Sequence, residues 1–167
     1  MSLKIFTLIS FICVAQSLSG MESMKYIGID QNGIYVIKDY LDYINDNSFS
    51  DDITNLLSKE RWDIHSPTSL HDSNISNISF NIDWGGDGYS IELKLIGAMN
   101  DRIFKLSYLG VIESDLSDIT RYGDLLIHEL YEEHEVYIHQ IIFDDAPIVI
   151  KARKIKFEEK MLSGSLL

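Results

Sequence analysis

Cysteine is nearly absent from this sequence: the one thiol, Cys13, lies in an N-terminal stretch with the layout of a leader. Disulfides and cysteine-ligated metals are thereby excluded from the rest of the chain. Proline is nearly as sparse, and the two residues, Pro67 and Pro147, each fall where a loop or turn is expected. Positive charge is scarce too, with 14 Lys and Arg against 26 Asp and Glu and a formal net charge of -12. Such a field repels phosphate backbones and anionic lipid at long range, which argues against nucleic acid as a partner. It steers a basic protein instead, although acidity also serves solubility alone. Long apolar runs are missing: Ile5 to Ala15 spans eleven residues, against the about 20 a membrane helix needs, so no stable membrane span is expected.

What is present supports a genuine core. The chain has 167 residues, of which 46% are hydrophobic and 24% charged, enough apolar material to offset the entropy of ordering one domain. Residues 1–20 read as a signal peptide: Lys4, then the apolar run, then Gln16, Ser17, Leu18, Ser19 and Gly20. That layout implies export to a periplasmic or extracellular space. Met21 and Met24 offer alternative starts, which would leave the protein cytoplasmic. A single α+β domain is expected over residues 24–158, followed by a frayed tail over 159–167.

Local patterns give its elements. Lys25–Asp30 and Ile34–Ile37 form a small hairpin across Gln31-Asn32-Gly33, where Asn-Gly supplies the positive backbone angles. Tyr40, Leu41 and Ile44, then Ile53, Leu56 and Leu57, recur at helical spacing and mark two short helices packed on one face of a sheet. Ser50 is placed to cap the second helix, and Lys59 and Arg61 suit its far end. From Ile78 onward the texture is alternating. Ile78, Phe80 and Ile82, then Tyr89, Ile91, Leu93 and Leu95, then Phe104, Leu106 and Tyr108 face one way with polar residues between. Asp124–Tyr131, Val136–Phe143 and Ile148–Phe157 complete a predominantly antiparallel six-stranded meander.

Few residues carry chemistry. His128-Glu129 starts like a zinc-protease motif, but Glu132 stands where the second histidine is required and the context is a strand. If Tyr131 faces Val136 across a four-residue turn, His128 opposes His139, forming a polar cross-strand pair, a pH-sensitive pair or two ligands of a metal. His71-Asp72 suits either acid–base orientation or the hydrogen bonding of a loop-to-strand junction. Gly85-Gly86-Asp87-Gly88 lacks the strand-to-helix context of a phosphate loop and reads as a hairpin turn. Trp84 and Tyr89, with Tyr26, Tyr35 and Tyr43, are candidate interface aromatics or core residues. Glu132, Glu133 and Glu135 supply candidate contacts for a cationic partner. Lys151, Arg153, Lys154 and Lys156 crowd the last strand, either as a partner-binding stripe or as the lysines of a protected sheet edge. Asn74-Ile75-Ser76 and Asn77-Ile78-Ser79 match the glycosylation sequon, relevant only in a eukaryotic secretory route. No cofactor is implied and no metal site is assigned.

The segments Ser66–Ser73, with Leu70-His71-Asp72, then Ile91–Leu95, Tyr108-Leu109-Gly110-Val111 and Asp124–Leu130 resemble small bacterial β-rich proteins similar to immunity proteins of polymorphic toxin systems. The resemblance covers about residues 25 to 158. It implies a non-catalytic protein-binding domain that neutralises a basic toxin. Two other functions stay open: a metal-binding or hydrolytic protein using the His128/His139 pair, and an exported structural or accessory protein.

Overall fold

The computed structural model describes residues 24–83, 88–116, 123–144 and 147–162, with the Asp83 side chain left out. Residues 1–23, which include the stretch read as a signal peptide, and residues 84–87, 117–122, 145–146 and 163–167 lie outside the described residues. The chain divides into two compact units, one ending at Asp46 and the other beginning at Asn47.

In the first unit, β1 (Gly28–Ile29) pairs antiparallel with β2 (Tyr35–Val36), and α1 (Lys38–Asp46) follows. The turn is organised by Asp30. Its Oδ1 accepts from the amides of Asn32 at 2.8 Å and Ile34 at 2.9 Å, while Gly33 takes a φ of 79°. Those amide bonds, from Ile34 first and Asn32 next, hold the Asp30 carboxyl below its usual pKa. The aromatics of this unit stack on each other: Tyr26 lies 4.5 Å from Tyr43 and 6.4 Å from Tyr40 between ring centroids. Tyr40 is fully buried, whereas Tyr26, Tyr35 and Tyr43 are half-buried.

The second unit holds the six-stranded antiparallel sheet, so the α+β class read from the alternation is the observed one. It begins with α2 (Asp51–Leu56) and, after a break at Leu57-Ser58, the single turn α3 (Lys59–Trp62). Ser50 occupies the cap position of α2, but its hydroxyl makes no capping bond; its carbonyl accepts from Thr54 at 2.8 Å. Lys59 and Arg61 therefore sit on α3 rather than at the end of α2. Ile53 and Leu56 are buried, and α2 packs against the last strand.

The strands are β3 (Asn74–Asp83), β4 (Gly88–Ile96), β5 (Arg102–Asp115), β6 (Leu125–Glu133), β7 (Val136–Phe143) and β8 (Pro147–Met161). Their order is β3-β4-β5-β8-β7-β6, so the meander is interrupted once: two three-stranded meanders meet along β5 and β8. These are the two longest strands, and they pair from Arg102↔Met161 to Asp115↔Val149. Two expectations change as a result. The lysine-rich last strand is central rather than an edge, so its cations do not guard a sheet edge; Lys151 instead meets Glu113 at 2.7 Å. Residues 159–161, expected to fray, are ladder residues opposite Phe104, Ile103 and Arg102.

β8 also changes which side it buries. Ile148, Ile150 and Ala152 are buried in its first half, but Ile155 and Phe157 in its second, with Arg153 and Lys154 both exposed between them. The switch faces an irregularity in β5 at Val111/Glu113, beside Gly110 with a φ of 62°. A side chain on Gly110 would crowd Arg153 at 3.3 Å as well as strain the backbone, so glycine is required there. The two outer strands meet at one end. Asn74 bridges Asp124, the Asp72 amide donates to the Leu125 carbonyl at 2.9 Å, and the Leu125 amide returns a bond to Ser73.

Candidate functional site

Two buried polar clusters stand out in this sheet. The first is built by β5, β6 and β7. The β6–β7 turn uses two residues, His134 and Glu135, both in left-handed conformation with φ of 51° and 65°, and Glu133 pairs with Val136. A four-residue turn with Tyr131 facing Val136 was expected, so the register differs by two positions. His128 consequently opposes Ile141, and His139 opposes Leu130. A shift of two residues preserves the face each side chain occupies. The histidines are thus diagonal rather than direct neighbours, and His128 Nδ1 lies 3.2 Å from His139 Nε2.

Tyr108 of β5 extends the cluster, with its hydroxyl 2.7 Å from His139 Nδ1. Trp62 of α3 covers His128 face to face, at 4.4 Å between centroids and 16° between planes. His128 is 2% exposed and His139 1%. Burial lowers the His128 pKa to about 3 and pushes that of His139 well below the ordinary value, with the neighbouring His128 adding to the effect. Burial likewise raises the Tyr108 phenol. All three groups are therefore neutral near pH 7.

Neutrality couples the directions of the two hydrogen bonds, because each neutral imidazole donates through one ring nitrogen and accepts through the other. If Tyr108 donates to His139 Nδ1, then His139 Nε2–H donates to His128 Nδ1 and the His128 proton sits on Nε2. If the chain runs the other way, His128 Nε2 carries a lone pair. In either arrangement the chain ends at His128 Nε2, which is buried and has no hydrogen-bond partner among the described residues. The following residue, Glu129, is fully buried on the opposite face of β6, as strand alternation demands, so it cannot act beside His128 as in a zinc protease. Among the described residues there is no group of three or more His, Cys, Asp or Glu arranged to hold a metal ion.

The second cluster is charged. Arg61 of α3 donates to Glu159 of β8 at 2.8 Å, to Asn55 Oδ1 at 2.9 Å and to the Thr68 carbonyl at 2.8 Å. Its guanidinium also lies over the rings of Phe157 at 5.0 Å and Phe104 at 5.3 Å. Arg102 of β5 takes the other oxygen of Glu159 at 2.5 Å and both oxygens of Asp101 at 2.8 and 2.6 Å. Burial alone would raise the Glu159 pKa, but the hydrogen bonds from Arg61 and Arg102 outweigh it and hold the carboxyl low. The Asp101 bond, followed by Glu159, raises Arg102 against the opposing effect of burial. This network explains why residues 159–161 remain in the ladder.

His71 and Asp72 form a separate pair, with Nδ1 to Oδ1 at 2.8 Å. Asp72 has a φ of 60° and its amide bonds Leu125, so the residue helps tie the entry of β3 to the entry of β6. Tyr89 of β4 is half-buried and stacks on Phe80 of β3 at 6.1 Å, while its companion Trp84 lies outside the described residues. Glu132, Glu133 and Glu135 are exposed around the tip of the β6–β7 hairpin.

Sequence reasoning found the two histidines but missed Tyr108, Trp62 and both arginines. Tyr108 sits in the Phe104-Leu106-Tyr108 stripe and reads as a core aromatic, which it also is. Buried arginines have no local signature, because partners such as Arg61 and Glu159 are 98 positions apart. Comparison with family models, curated proteins and solved structures finds no match to this chain. No helix among the described residues is long and apolar enough to cross a membrane.

Proposed function

We propose that the chain is a non-catalytic, acidic protein-binding domain, and more narrowly an immunity protein that occludes the cationic substrate cleft of a basic bacterial toxin. The observation that carries this reading is the end of the β6–β7 hairpin, where Glu132, Glu133 and Glu135 are all exposed, Glu132 and Glu133 on opposite faces of the strand, on a chain of net charge -12. The strand and its two-residue turn fix the backbone that carries them, which limits the ordering needed on binding. The surrounding negative field speeds encounter with a cation-rich surface. The histidine pair supports binding over hydrolysis, because both imidazoles are sealed from solvent and neutral, with the ring of Trp62 laid over His128. Export is the localisation that accompanies the leader-like residues 1–20, and the mass of the mature N-terminus checks it.

The test pairs the protein with the basic product of a neighbouring gene. Toxin activity should fall to background at equimolar protein, and the triple variant E132K/E133K/E135K should weaken binding at least about tenfold, with the salt dependence reduced. Full toxin activity with the wild-type protein in excess overturns the toxin reading. Binding that the triple variant leaves unchanged overturns the role of the hairpin tip.

A further inference from the structure

The two outer strands of the sheet differ in how they end it. β6 is buried on both faces from Ile127 to Tyr131. β3 pairs only with β4, and past the Asn74–Asp124 bridge its outer edge has no backbone partner among the described residues. Long open edges are usually blunted by lysine, proline or inward charge. β3 has none of these from Asn74 to Ile82, where it reads Asn-Ile-Ser-Asn-Ile-Ser-Phe-Asn-Ile. Its one irregularity lies near the start, between Ile75 and Asn77; from Asn77 to Asp83 the pairing with β4 is regular.

The side chains point the same way. Phe80 and Ile82 stand opposite Ile91 and Tyr89, on the face where Ile91 is buried, yet they are 48% and 59% exposed. Among the described residues the apolar face of the sheet therefore continues onto β3 with Phe80 and Ile82 exposed, and Phe80 stacks on Tyr89.

We propose that β3 is a self-association edge, along which two copies of this chain pair antiparallel about a twofold axis near Phe80. That register sets Phe80 against Phe80 and Ile78 against Ile82, and runs the two sheets together as one. The strand's own symmetry selects the occupant: Ile78 and Ile82 flank Phe80 at equal distance, so the edge is complementary to a second copy of itself. Each copy carries a net charge of -12, so two copies repel wherever carboxylates meet. Within the proposed ladder the residues from Asn77 to Ile82 carry no ionisable group, and Asp83 at its end stands opposite the uncharged Asn77 of the other copy, so repulsion is least along this edge. A cationic partner is drawn by the same field to the carboxylates of the hairpin tip instead. Seven regular residues give a ladder of roughly 24 Å, suited to a reversible dimer rather than an obligate one. The two associations carry opposite salt signatures. Screening relieves repulsion between copies and strengthens the dimer, while it weakens attraction to a basic protein.

Sedimentation equilibrium of the full chain over a range of concentrations, at low and high salt, tests this directly. The mass should rise to twice that of the monomer with increasing concentration, and do so at lower concentration in high salt. The double variant Phe80→Lys with Ile82→Lys should stay at the monomer mass with an unchanged circular dichroism spectrum, since both side chains are exposed. Leu41→Lys, at an exposed apolar position in the other unit, should leave the doubling intact. Monomer mass at every concentration overturns the proposal. So does doubling that survives both lysines, doubling abolished by Leu41→Lys, or growth beyond two copies, because a twofold edge closes on itself. Capture of a basic protein that the same double variant abolishes would likewise overturn it, by assigning the edge to a different chain.

Discussion

The two buried polar clusters of the β5–β8 region solve one problem in opposite ways. At the Phe104 end, Arg61, Glu159, Arg102 and Asp101 remain charged, because every guanidinium faces carboxylate or carbonyl oxygens within 3.4 Å. At the Tyr108 end, no carboxylate contacts the described histidine chain, so desolvation prevails and both imidazoles stay neutral. A buried site keeps its charge only when enough hydrogen bonds replace the water it has lost.

The sharpest way to break this contrast is to remove the shared acceptor. Glu159→Gln leaves Arg61 and Arg102 buried against an uncharged amide, and urea unfolding should show a loss of about 3 to 5 kcal/mol. A loss below about 1 kcal/mol would mean that Asp101, Asn55 and the Thr68 carbonyl suffice for the arginines.

Acid sharpens the contrast from the other side. The folded-state pKa values of His128 and His139 are depressed, His128 to about 3, while the unfolded chain binds protons near the ordinary histidine value. Stability from this pair is therefore complete above pH ~6.5 and falls as pH drops below it, by up to about 1.4 kcal/mol per histidine per pH unit. Between pH 8 and pH 5.5 the two together should cost about 3 kcal/mol. The Glu159 carboxyl is also depressed, but as an acid its contribution persists through this window and declines only as pH falls through the lower carboxylate range. Urea midpoints flat between pH 8 and pH 5.5 would contradict the neutral assignment of the histidines.

The smallest effect is expected from Tyr108→Phe, which keeps the ring but removes the group bonded to His139 Nδ1. The cost should be about 1 to 2 kcal/mol in urea unfolding. Because one neutral polar contact is lost and no charge is stranded, it should stay below the cost of Glu159→Gln.

Much of this was legible in the sequence because it is local. Alternation from Ile78 to Phe157 gave six strands, and parity alone put His128 and His139 on one face, so their meeting survived an incorrect turn length. What was not legible is what joins distant segments. Nothing local in β5 or β8 announces that they pair, so Lys151 and its neighbours read equally well as guards of an edge. Arg61 read only as a cation suited to a helix end and Arg102 drew no reading, because their shared acceptor Glu159 comes from elsewhere in the chain. Asp72 was legible as a residue suited to a loop junction, but its tie to Leu125 was not.

The central place of β8 bears on the order in which the molecule can be assembled. During synthesis β3, β4 and β5 emerge first and can zip together, but the long flank of β5 waits for a strand made after β6 and β7. Until β8 has left the ribosome that flank is an unsealed seam, and the β3–β5 meander meets the β6–β7 hairpin through the contacts of Asp72, Ser73 and Asn74 with Asp124 and Leu125 rather than along their flanks.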